Sequence, residues 1–126
     1  MMVKQVIFDV GNVLMAFQTQ ALAARFAPDP LDAALLHQEI FANPDWPRLD
    51  RGEDESAVVQ AMLTHIPQRL HGPARSLLAV WDEALEPIAA TNALAAELDS
   101  LGLPLYILSN TSWRFYQFRE RLPAWP

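Results

Sequence analysis

Two short apolar, β-rich segments stand near opposite ends of the chain, Val3 to Phe8 and Pro104 to Leu108. Neither alternates apolar with polar residues. Unalternated strands of this kind belong to parallel sheets covered on both faces. Parallel neighbours need a long crossover, and the stretch between these two is mostly helical in pattern. The chain is thereby held to an α/β architecture built on a parallel sheet.

The pattern between the strands predicts a series of helices. Thr19 is placed to cap the first, in which Leu22, Arg25 and Phe26 recur at helical spacing. Asp29 caps the second, Pro30 takes its first position, and Leu31, Leu35 and Leu36 fall along one side. Asn43 to Asp54 reads as a loop rich in breakers, followed by helical stretches at about Glu55 to His65 and Pro73 to Ala84. Pro87 is expected to start the next helix, with Ile88, Leu94, Leu98 and Leu101 on its inner face and Gly102 ending it. Ser112 to Arg121 reads as a last helix. No repeat, linker or low-complexity segment interrupts the series.

Length and charge narrow the function classes. The 126 residues suit one ordinary domain, and the formal net charge is -6 with no cluster of lysine and arginine. A nucleic-acid partner, which needs a basic face, is therefore not expected. The chain has no cysteine, so disulfides and thiolate metal sites are excluded. Only Lys4 and a short apolar strand occupy the N-terminus, and no run approaches the roughly 20 apolar residues of a membrane span. The expectation is a soluble, cytoplasmic protein with no membrane partner.

The chemistry concentrates where the strands end. Ligands of open parallel sheets bind beyond the carboxyl ends of the strands. Asp9 follows the first strand in "VIFDVGNVL", and Ser109, Asn110 and Thr111 follow the second in "LYILSNT". Gly11, lacking a Cβ, suits a sharp turn and a close approach to a ligand. The N–H groups of such a turn, at Val10, Gly11 and Asn12, can cradle an anion. A carboxylate facing an anion calls for a cation between them, and oxygen ligands with phosphate point to Mg²⁺. Asp9 is thus a candidate metal ligand, nucleophile or both.

These residues resemble the haloacid dehalogenase (HAD) superfamily of hydrolases. "VIFDVGNVL" is similar to the family's first motif, a strand ending in a nucleophilic aspartate, with Asp9 in that place. "LYILSNT" is similar to its second, with Ser109 in that place. The insert from about Met15 to Leu85 resembles the helical cap that follows the first motif. "LDRGE", Leu49 to Glu53, resembles a cap segment of a subgroup that includes sugar-phosphate phosphatases. The resemblance implies a Rossmann-like core of residues 1–14 and 86–126 with a cap of residues 15–85. It implies attack by Asp9 on a small phosphorylated metabolite and an aspartyl-phosphate intermediate. Ser109 and Asn110 would hold phosphoryl oxygens, and Mg²⁺ would take Asp9 and the Gly11 carbonyl.

Two departures qualify what the resemblance implies. The aspartate that usually sits two residues after the nucleophile, as general acid and base, is replaced by Gly11, so that role is unassigned. The family's third and fourth motifs, a lysine or arginine and a set of acidic metal ligands, have no counterpart after Thr111. The expectation is an incomplete HAD-type sheet, inactive as an isolated chain and able to self-associate through uncovered strands. Metal-free carbon–halogen cleavage through an ester at Asp9, or a non-enzymatic binding role, are the alternatives. His37, His65 and His71 lack metal-ligand spacing. Trp46, Trp81, Trp113 and Trp125 read as core, interface or pocket residues, Leu122 and Trp125 as side chains directed at another strand, and Glu53-Asp54-Glu55 as a solvated helix start.

Overall fold

The computed structural model describes residues 2–123; Trp125 lies outside them. The first elements in chain order are β1 (Val6–Phe8), β2 (Met15–Phe17), α1 (Thr19–Phe26) and α2 (Pro30–Phe41). They are followed by α3 (Pro47–Asp50), α4 (Glu55–Leu63) and α5 (His71–Ala79). The chain closes with β3 (Leu85–Pro87), α6 (Ala89–Ser100), β4 (Leu105–Ile107) and α7 (Phe115–Phe118). Short 3₁₀ turns at Gln68–Leu70, Trp81–Ala84 and Arg119–Arg121 complete the set. Among the described residues no helix is long and apolar enough to cross a membrane.

The architecture is mixed α/β. β1 pairs in parallel with β4, Val6 opposite Leu105 and Phe8 opposite Ile107. β2 pairs antiparallel with β3, Met15 opposite Pro87 and Phe17 opposite Leu85. These are the sheets among the described residues, and each has two strands, so a wider Rossmann-like sheet is not formed there. The β2–β3 ribbon joins the two ends of the segment 15–85. Asn92 ties α6 to the residue before β2, donating from Nδ2 to the Leu14 carbonyl as well as to that of Ile88 at the start of its own helix, each at 2.9 Å.

Local signals act where they were expected. Asp29 caps α2, its Oδ1 accepting the N–H of Leu31 at 2.8 Å, with Pro30 in the first turn. Gly102 follows α6 with φ +79°, a left-handed conformation that costs glycine little. The buried residues form one continuous cluster from Phe8 to Leu122, and Leu36, Ile40, Val58, Met62 and Leu77 are wholly enclosed in it. α1 packs on α2 and α5, and α5 on α4.

Several expectations are corrected. The strands are shorter than Val3 to Phe8 and Pro104 to Leu108, and they are not covered on both faces. Ile7, Tyr106 and Leu108 are 55%, 52% and 73% exposed, while Phe8 is buried. Thr19 does not cap α1; Gln18 holds that position without a side-chain bond, and Thr19 Oγ1 instead meets His37 Nε2 at 2.8 Å. Pro87 ends a strand rather than starting α6, because the ribbon captures it. The inner face of α6 is set by Asn92 and Ala95, with Leu94 and Leu101 exposed, and Leu31 of α2 is exposed as well. The stretch Asn43 to Asp54 contains α3, and the segment after Ser112 is a turn followed by one short helix. Helix α5 begins at His71, ahead of Pro73, and stops at Ala79. Leu122 is buried in the shared core.

Candidate functional site

Parallel pairing decides where the polar strand ends meet. The Leu108 N–H donates to the Phe8 carbonyl at 2.9 Å, continuing the ladder one step past β4. Asp9 follows Phe8 and Ser109 follows Leu108, so both stand on one rim of the small sheet. Asp9 is exposed, and its Oδ1 accepts the Val10 N–H at 2.7 Å.

The turn after Asp9 is tighter than a simple glycine bend. The Val10 carbonyl accepts the N–H groups of Val13, Leu14 and Met15 at 3.1, 3.0 and 2.9 Å. The residue with positive φ is Asn12, at 59°, a conformation asparagine tolerates. Asn12 Oδ1 accepts the Phe17 N–H at 3.1 Å, which ties the turn to β2. A Cβ added to Gly11 would meet nothing within 4 Å, so the protein itself does not require glycine there. Of the expected anion cradle, the Val10 N–H is spent on Asp9 and the Asn12 N–H on the Met15 carbonyl. Only the Gly11 N–H remains outside these bonds.

A cleft of about 240 Å³ opens beside this turn. Val10, Gly11, Ser109, Asn110 and Thr111 form its sheet side; Phe17, Trp46, Asp50 and Trp81 face them, with Leu85 and Phe118 completing the wall. Four candidate site residues, Val10, Gly11, Ser109 and Asn110, are thus brought together. Asp9 lies on the same rim but outside the lining. Asn12 borders a separate hollow of about 470 Å³ with Thr19, His37 and Phe41. The aromatic wall is continuous: the Phe17 and Trp81 ring centres are 6.1 Å apart, and those of Trp46 and Trp81 are 5.4 Å apart. Trp113 stays half exposed.

Two residues escaped the sequence reading. Asp50 ends α3 and lines the cleft; the residue is exposed, and the partial desolvation it meets there raises its carboxyl from its ordinary value. Its only trace in the sequence is "LDRGE". Arg114 is buried and gathers distant acids: Nη1 donates to Asp82 at 2.7 Å, Nε to Glu55 at 2.9 Å, and Nη2 to Glu55 and the Leu78 carbonyl. Burial works against its charge, yet the bonds to Glu55 and Asp82 outweigh that and hold its pKa above the ordinary value. No local signal distinguishes Arg114 from a surface arginine.

Metal-ligand chemistry is sparse. Among the described residues no three His, Asp or Glu side chains converge on a point. For Mg²⁺ the rim offers the Asp9 carboxylate and the Gly11 carbonyl, a set that suits an ion arriving with a substrate phosphate rather than an all-protein cage. His37 is bonded to Thr19, and His71 Nε2 meets the Ile66 carbonyl at 2.8 Å. Compared with protein-family models, with curated proteins and with solved structures, the chain matches none.

Proposed function

We propose that the rim carrying Asp9 and Ser109 is a phosphotransfer site of the HAD type, with residues 15–85 as a cap over the edge of the small parallel sheet. One observation carries the reading: β1 and β4 run parallel, so that Asp9 and Ser109, one register step apart, stand on the same rim beside a cleft that Ser109 lines. An exposed Asp9 oxygen attacks phosphorus, the bond from phosphorus to the leaving oxygen breaks, and water later releases phosphate from Asp9. The Ser109 hydroxyl and the Gly11 N–H donate to the phosphoryl oxygens as charge develops. Mg²⁺ held by Asp9 and the Gly11 carbonyl would neutralise that charge. The cleft volume and aromatic wall suit a small phosphorylated metabolite, and the absence of cysteine suits a reducing cytoplasm.

The chain is to be incubated with Mg²⁺ and acetyl phosphate, and the adduct located by mass spectrometry after borohydride reduction. One phosphoryl group retained on Asp9 without turnover, absent in Asp9→Asn and after EDTA, is the expected result for an isolated chain that does not complete the catalytic cycle. A modified Asp9→Asn protein, or labelling elsewhere, defeats the reading. One feature favours the dehalogenase alternative: the cleft lining contains aromatic side chains and no lysine or arginine. In that case haloacetate forms an ester at Asp9 and releases halide with EDTA present.

A further inference from the structure

Residues 45–54 carry four carboxylates, and three of them are committed. Asp45 takes Arg48 at 3.2 Å, Glu53 takes Arg48 at 2.9 Å and Arg51 at 3.0 Å, and Asp54 caps α4 through the Ala57 N–H at 3.0 Å. Asp50 has no hydrogen bond or ion pair among the described residues, although arginines stand close to it on both sides in sequence. The reason is geometric. Gly52, with φ +78°, turns the chain so that Glu53 folds back onto both guanidiniums. Leu49, almost wholly buried, anchors α3 in the core, and Asn43 ties the preceding turn to the carbonyls of Glu39 and Met62 at 2.9 and 3.3 Å. An unpaired carboxyl is thereby held on a fixed element, and it is the one titratable side chain among the residues lining the cleft.

The chemistry proposed above lacks a proton donor where one is required. Gly11 has no side chain, and neither Ser109, Asn110 nor Thr111 is acidic enough to protonate a leaving alkoxide or phenoxide. We infer that Asp50 supplies this proton from the cap side of the cleft, an assignment that rests on the phosphotransfer reading of Asp9. In the first step the Asp9 oxygen bonds to phosphorus, the bond from phosphorus to the leaving oxygen breaks, and the Asp50 proton passes to that oxygen. In the second step water attacks phosphorus and gives its proton to the Asp50 carboxylate. The bond from Asp9 to phosphorus breaks, and phosphate leaves with both carboxyl groups restored. Partial desolvation moves the Asp50 carboxyl upward from its ordinary value, the direction that proton donation requires, although the residue remains exposed to solvent.

The test compares two phosphoryl donors on the chain and its variants, following the label on Asp9. Acetate departs from acetyl phosphate without a proton; phenoxide departs from phenyl phosphate far more readily with one. Asp50→Asn is expected to lower the ratio of phenyl phosphate to acetyl phosphate transfer about 100-fold or more, the scale of general acid catalysis. Asp50→Glu should restore part of that ratio. Equal losses on both donors would make Asp50 merely structural, and an unchanged ratio would remove it from the reaction. Labelling of the unsubstituted chain by acetyl phosphate but not by phenyl phosphate would also overturn the assignment. Labelling by neither donor would instead defeat the Asp9 reading, and the role of Asp50 with it.

Discussion

The helical side of the molecule and its parallel sheet both carry large apolar side chains, yet these meet solvent very differently. Leu36 and Ile40 of α2, Val58 and Met62 of α4 and Leu77 of α5 are wholly enclosed. Ile7 of β1, Tyr106 of β4 and the adjacent Leu108 are more than half exposed. Burial in β1 follows the strand period, with Phe8 inward and Ile7 outward, although the composition does not alternate. An apolar residue is buried only when the fold supplies a second surface to cover it. Helices α1, α2, α4 and α5 supply surfaces to one another; nothing among the described residues covers the outer face of β1 and β4.

The contrast breaks most severely at Arg114. Arg114→Ala leaves Glu55 without its cation and Asp82 with only the more distant Arg121, 3.6 Å away, and should cost about 3 to 5 kcal/mol, read as a lowered urea midpoint. Restoring most of that loss by adding Glu55→Gln and Asp82→Asn would show that stranded charge, rather than lost packing, is responsible. Leu36→Ala, which empties space in the enclosed side, should cost about 3 kcal/mol in the same measurement. A similar cost for Ile7→Ala would erase the distinction between the two regions.

On the rim, Ser109→Ala should slow labelling of Asp9 by about ten- to a thousandfold with little change in melting temperature, because it removes one donor to developing charge. An unchanged rate would reduce Ser109 to a structural residue. On the open face, the double substitution Ile7→Lys and Tyr106→Glu, which puts opposite charges on a directly paired site, should alter stability by less than about 0.5 kcal/mol. It should also suppress the concentration-dependent association expected of an uncovered apolar patch, as followed by sedimentation velocity. Association that persists unchanged would place the contact elsewhere.

The smallest effect concerns the charges around the cleft. The Glu53 carboxyl is held below its ordinary pKa, chiefly by its hydrogen bond with Arg48, so its stabilisation exists above the unfolded carboxylate value and fades as pH falls through the folded one. Asp50 has the opposite sign. Burial raises its folded pKa, so stability is lost as pH rises through that value. Asp50→Asn should therefore be slightly more stable than the unsubstituted chain at pH 7, with the gain closing below about pH 4, the ordinary carboxylate range. A destabilised Asp50→Asn at pH 7 would mean that the carboxylate is a structural partner after all.

What the sequence determined by itself was local. Asp29 with Pro30 starts α2 and Gly102 ends α6 because caps and left-handed turns depend on a few neighbouring atoms. The two apolar segments could be recognised as strands, and their polar ends as one rim, because parallel pairing aligns carboxyl ends whatever the intervening chain does. Only the tertiary structure decided the rest. The three-residue strands β2 and β3 exist through each other, 15–17 against 85–87, and runs so short have no periodicity to detect. Arg114 differs from a surface arginine only in meeting Glu55 and Asp82, which are far from it along the chain. Asp50 enters the cleft unpaired because Gly52 turns Glu53 onto Arg48 and Arg51, and because a buried Leu49 fixes α3 against the core. Each of these depends on which groups the fold brings within reach of one another, and only folding settles that.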